Sequence, residues 1–259
     1  MNWNHSSRLA LVLAALLAVS VVPAAAVSVS GDAPDTVEIG EKQTTTYTIT
    51  EPFDEYNQWT LRGSTELTDV TWRVTTYDNA DNQVEERVIN GQSFSYQLSA
   101  DSGVVRIEVR LVGTTPSQVD WQYDPPQKIV YTTFTQAQEG GATDNLTRMT
   151  ARPYSPESQS ARTAIRNAEE AIADAEDSGV SVASARSDLK DAIEFYNSGR
   201  FAETQDNAER AQSAAKSAMQ SQQRTNRLLL IGGALVVLLL VAGGIYWYLQ
   251  QRETYDRLG

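Results

Sequence analysis

The stretch Val105-Arg106-Ile107-Glu108-Val109-Arg110-Leu111 decides how the first half of this chain is read. Four apolar side chains alternate with three charged ones. Successive side chains on a strand point to opposite faces, so this pattern predicts a strand with one buried and one wet side. Val70, Trp72 and Val74 repeat the pattern, and so does the run Thr44–Thr50. Further strand candidates are 36–39, 58–61, 84–89, 92–99, 119–123 and 128–134. Short strands with turn residues between them predict an all-β antiparallel sandwich, Ig-like, over residues 27–135.

One turn can be tested on register. Asn90-Gly91 is a strong hairpin signal. A two-residue loop would set Phe94 against Arg87. A three-residue loop, Ile89-Asn90-Gly91, sets Val84 opposite Tyr96 and Val88 opposite Gln92, which keeps like faces together. The turn Ala100–Gly103 then pairs Leu98 with Val105 and Tyr96 with Ile107, giving a three-strand meander over 83–112.

Residues 136–155 read as a linker, with Gly140-Gly141, Pro153 and the sequon Asn145-Leu146-Thr147. Asn145 is the one candidate modification site, for N-glycosylation on an exported chain. Beyond it the period changes. Ser155-Pro156 is an N-cap followed by proline at the first helical position. Ala161, Ile165, Ala168, Ile172 and Ala175 make one stripe, and Val182, Ala185, Leu189, Ile193 and Tyr196 a second. Phe201, Ala208, Ala211, Ala215 and Met219 make a third. Residues 156–227 are therefore expected to form an all-α three-helix stalk, bundled or coiled-coil-like, with a mostly alanine core. Its last helix meets no proline or glycine between Arg200 and Ile231.

The two ends are apolar. Residues 9–22 follow Arg8 and lead to Ala24-Ala25-Ala26, the layout of a cleaved signal peptide spanning 1–26. Leu228–Leu249 is a 22-residue apolar run. About 20 such residues cross a bilayer core of roughly 30 Å. The expectation is one transmembrane helix over 228–249, with the N-terminal domain outside and a short cytoplasmic tail, 250–259. Lys216, Arg224 and Arg227 on the outer side oppose the positive-inside bias, but the export signal commits the chain first.

The chain has no cysteine, and its one histidine, His5, lies in the signal segment. Triad, thiol and His/Cys zinc chemistry are excluded from the remainder. The pairs Glu85-Glu86 and Glu169-Glu170 diverge on a strand and on a helix, so neither makes a convergent acid–base pair. Asp78-Asn79-Ala80-Asp81-Asn82 offers oxygen ligands of the kind calcium accepts, but reads as an Asx-rich turn. No catalytic residue, cofactor or metal ligand is assigned, and the chain is not expected to be an enzyme. A net charge of −12 with no basic patch argues against nucleic acid as a partner. Of the basic residues only four are lysine, and the acidic, threonine-rich balance suits a saline environment, where self-repulsion is screened.

Signal segment, acidic β domain, alanine-rich stalk and single span together resemble the single-pass surface proteins of haloarchaea. The stretch from Val37-Glu38-Ile39-Gly40 through Trp72 to Asp78 is similar to exported sensor-like domains of that group, some of which continue into a cytoplasmic DNA-binding domain. The resemblance implies a membrane-anchored, extracytoplasmic interaction module of the cell envelope. Its partners would be the lipid bilayer, an envelope protein or membrane complex, and a second copy through the Gly232-Gly233 and Gly243-Gly244 face. The alternative is an accessory or sensory subunit that signals through the stalk and the span.

Overall fold

The computed structural model describes residues 27–138, 140–141 and 143–253. The expected signal peptide, 1–26, lies outside the described residues, as does the tail beyond Glu253.

Ten strands come first: β1 Ser28–Ser30, β2 Thr36–Glu38, β3 Lys42–Thr50, β4 Gln58–Ser64, β5 Thr68–Tyr77, β6 Gln83–Asn90, β7 Ser93–Ser99, β8 Arg106–Thr114, β9 Ile129–Ala137 and β10 Thr143–Tyr154. Three helices follow: α1 Pro156–Asp177, α2 Ala183–Asn197 and α3 Phe201–Glu253. The chain divides into two compact units. One holds residues up to Asp35, Gly40–Pro116 and Ile129–Ala151. The other holds Thr36–Ile39, Ser117–Lys128 and everything from Arg152 onward.

The β unit is built from two facing sheets. The first has the order β1-β3-β8-β5-β6 and is antiparallel throughout. In the second, β10 pairs with β9, β9 with β4 and β4 with β7, all antiparallel. Alternation decides which residues meet between them. Tyr47, Ile49, Trp72, Val74, Ile107, Val109 and Leu111 point inward from the first sheet and are fully buried. Trp59, Leu61, Phe94, Tyr96, Leu98 and Phe134 answer from the second. Ring centroids are 5.1 Å apart for Tyr47 and Phe134 and 5.0 Å for Trp72 and Phe94, in the tilted and edge-on range that aromatic pairs favour. The buried polar tips find partners. Trp72 Nε1 donates to Gly91 O at 2.9 Å, and Tyr47 Oη donates to Thr132 Oγ1 at 3.1 Å. Gly63 is required by this packing, because a Cβ there would sit 2.1 Å from Phe94 Cε1.

The helical unit begins with a reciprocal cap. Ser155 Oγ accepts from Ser158 N at 3.1 Å, and Ser158 Oγ accepts from Ser155 N at 2.8 Å, with Pro156 opening α1. α3 packs along both α1 and α2. The seam is made of Ala161, Ile165 and Ala168 from α1, Ala192 and Tyr196 from α2, and Ala208 and Ala211 from α3, with Tyr123 completing it. Toward the other end Ala171, Ile172, Ala175, Val182, Ala185 and Ala215 continue it.

Four expectations are corrected. First, the fold class is not an all-β domain followed by an all-α stalk and a span. The second sheet is mixed, because β2 pairs in parallel with the last three residues of β10, Thr36 opposite Arg152 and Glu38 opposite Tyr154. That parallel pair and the segment 117–128 belong to the helical unit, so a chain order of β then α does not divide the molecule.

Second, the transmembrane helix and the single-pass membrane localisation do not stand. Among the described residues, no helix is long and apolar enough to cross a membrane. Residues 228–249 continue α3. Large apolar side chains there, such as Leu238 and Leu240, are exposed.

Third, β6 and β7 are not a hairpin. β6 pairs with β5 and β7 with β4, in opposite sheets, and the chain crosses between them at Gly91, where φ is 114°. Phe94, Tyr96 and Leu98 need a core to enter, whereas residues 83–88 are exposed on both faces of an edge strand. Pairing them would have buried one set against the wet face of the other. Val105 is exposed and precedes β8, so the 83–112 meander fails with the hairpin. Fourth, residues 136–155 are largely strand. β10 runs twelve residues, and 119–123 is loop.

Candidate functional site

The helical unit carries a concave surface between α1 and α2. Glu169, Ile172, Ala173 and Glu176 stand at i, i+3, i+4 and i+7 on α1, and therefore on one face. Arg186, Leu189, Lys190, Ile193 and Glu194 do the same on α2. The two faces line a groove of about 620 Å³. Alanine explains why it is open. α3 fits closely against both helices through small side chains, and among the described residues no further helix covers the outer α1–α2 seam. Its floor is apolar, with Ile172 buried and Leu189 and Ile193 half-buried.

The rim is charged and mostly self-neutralised. Arg186 Nε donates to Glu176 Oε1 at 2.5 Å, and Lys190 Nζ lies 3.7 Å from Glu194 Oε1. The Arg186 bond holds the Glu176 carboxyl below the usual carboxylate range. Glu169 differs. Its Oε2 accepts the Tyr123 hydroxyl at 2.8 Å, and among the described residues it makes no ion pair. Burial, and then this carboxylate, push the Tyr123 phenol well above its ordinary value.

Tyr123 is delivered by the segment Ser117–Lys128, which docks on the helices through its aromatics. Tyr123 N–H donates to Asn197 Oδ1 at 2.8 Å, and Arg162 Nη2 donates to Tyr123 O at 2.9 Å. Trp121 stands edge-on to Phe201, centroids 4.9 Å apart, and Tyr123 edge-on to Tyr196 at 5.7 Å. Gly199, at φ 73°, lets Trp121 approach; a Cβ there would lie 3.2 Å from its Cδ1. The Asp124-Pro125 peptide within this segment is cis.

The residues singled out from sequence are scattered. Asn145 is exposed on β10, at the register shift between Asn145 and Thr147, and not on a linker. With its amide nitrogen facing the backbone it donates to Phe134 O at 3.2 Å and Thr147 O at 3.1 Å. Asp78 closes its own turn: Oδ1 accepts from Ala80 N and Asn82 N, each at 2.9 Å, and Oδ2 from Asn82 Nδ2 at 3.1 Å. Asp81 pairs with Arg106 at 2.7 Å. Among the described residues no three acidic or histidine side chains gather as a metal site would require. Glu85 accepts the Tyr96 hydroxyl at 2.6 Å while Glu86 pairs with Arg73 at 2.9 Å, so the two diverge.

Sequence reading missed Trp121, Tyr123, Arg152 and Arg162. The available signal was a Trp-x-Tyr run halted by Pro125-Pro126, too short for a strand and too aromatic for a solvent loop.

No family model and no curated protein matches this chain. Among solved structures, it is similar to a DUF4466 family protein from Parabacteroides merdae, at 10% identity over 49% of this chain and 44% of that one, TM-score 0.28. A mutant of the SrpA adhesin from Streptococcus sanguinis matches at 16% identity over 52% and 62%, TM-score 0.28. An alkylpurine DNA glycosylase, AlkC, from Pseudomonas fluorescens, bound to DNA with an abasic site analog, matches at 14% identity over 50% and 29%, TM-score 0.22. The chain spans less than two thirds of the length of each of these proteins.

Proposed function

We propose that this chain is a non-catalytic interaction module, and that the α1–α2 groove receives an amphipathic helix of a partner protein. The groove itself carries the reading. It offers an apolar floor of Ile172, Leu189 and Ile193 between two charged rims, the form that helix-in-groove recognition uses. Charge supports a basic occupant: the chain carries −12, and among the described residues Glu169 makes no ion pair. A lysine or arginine on the incoming helix would pair with it.

Selection of displayed amphipathic peptides on the full chain tests this. Enriched sequences should carry apolar residues at helical spacing and one basic residue. Ile193→Glu should weaken their binding at least tenfold, as expected when roughly 1.5–3 kcal/mol of apolar burial is lost. Selection that enriches nothing, or binders indifferent to Ile193→Glu, would overturn the reading.

A further inference from the structure

The helical unit also holds two half-buried arginines that, among the described residues, have no counterion. Arg152 ends β10, and its Nη2 donates to Gln159 Oε1 at 2.9 Å. Gln159 and Arg162 stand at i and i+3 on α1, so they share a face. Arg162 lies with its guanidinium carbon 4.5 Å from the Tyr123 ring centre and 5.9 Å from that of Tyr196. Tyr196 is fully buried. In each of the three side chains one polar atom is buried with no hydrogen-bond partner: Arg152 Nη1, Arg162 Nη1 and Tyr196 Oη. Among the described residues neither arginine forms an ion pair, and Glu169, further along α1, is bound to the Tyr123 hydroxyl instead. Burial, and then the Arg162 cation, lower the Arg152 pKa from its ordinary value.

A cation held partly out of water with buried donors unpaired is disfavoured. Guanidinium groups only donate, and a phenol hydroxyl can donate too. A neutral water would satisfy hydrogen bonds but leave the two cations repelling each other. An anion satisfies the donors and the charge together. We infer that Arg152, Arg162 and Tyr196 form a binding site for a small inorganic anion with the charge and size of chloride.

The test uses the full chain. Thermal unfolding is followed in sodium chloride and in sodium gluconate at equal ionic strength, so that screening of the net negative charge is the same in both. Chloride should raise the midpoint saturably, by about 3 °C for a site mostly filled. The rise should be lost in Arg152→Gln and reduced in Tyr196→Phe. A second measurement does not depend on a stability change: the chloride NMR line width should show excess broadening with the native chain. Tyr196→Phe, which keeps the ring packing, should reduce that excess by half or more. Equal midpoints in the two salts together with no excess broadening would overturn the anion. Excess broadening unchanged in both variants would overturn these residues as its site.

Discussion

The β unit and the helical unit solve the same burial problem with opposite materials. The first fills its interior with large rings and branched chains: Trp59, Trp72, Tyr47, Phe94 and Phe134. The second fills its interior with Ala161, Ala168, Ala192, Ala208, Ala211 and Ala215, and adds Tyr196 from α2 and Tyr123 from a loop. Each large ring removes 150–250 Å² from water, and an alanine far less. The ring core is therefore closed and self-sufficient. The alanine core lets helices approach closely but leaves an open groove and two half-buried arginines beside it. Both proposed binding sites lie where the alanine core leaves side chains uncovered.

The sharpest way to break this contrast is to truncate one ring. Trp72→Ala should cost about 3–5 kcal/mol in a urea titration that follows loss of β structure; a cost below 1 kcal/mol would show that the ring core is not close-packed. Next comes alkali. Burial pushes Tyr47 up to about 12, and burial with the Glu85 carboxylate pushes Tyr96 up to about 12, against 10.0 for the ordinary phenol. Folded phenols that hold their protons above the unfolded pKa stabilise fully below pH 10 and lose that contribution as pH rises toward 12. Urea midpoints should be flat to pH 10 and then fall, and Tyr47→Phe should soften the fall.

Overfilling tests the other core. Ala211→Leu, at a fully buried position between helices, should destabilise by about 1–3 kcal/mol by calorimetry. Tolerance would mean the helices have slack. The cap is smaller: Ser158→Ala removes both side-chain bonds of that residue at the start of α1 and should cost about 1 kcal/mol. Smallest of all for stability is Ile193→Glu, at the half-buried groove floor. Its thermal midpoint should stay within about 2 °C of the native chain, even as peptide binding is lost.

Much of the local structure was legible. The alternation around Ile107 and the Ser155-Pro156 start of α1 are short-range patterns, and the chain obeys them. What escaped reading depends on distant partners. Asn90-Gly91 looks the same whether the chain folds back on itself or crosses to a facing sheet. Only the burial of Phe94 against Trp72 and Phe134 decides between them. The candidate groove was half legible: the stripes containing Ile172, Leu189 and Ile193 were read as interior, and the open seam between them was not. Arg152 and Arg162 gave no signal, since an isolated arginine reads as surface until its neighbours are known.

The docking of Ser117–Lys128 on the helices has a practical consequence for anyone moving this unit elsewhere. The bundle is not a contiguous cassette. A piece cut from Arg152 onward would contain all three helices yet lack Trp121, Tyr123 and the parallel strand β2, exposing Tyr196 and Phe201 where those rings now rest. A faithful graft must restore three separate stretches of sequence, or redesign the face they cover.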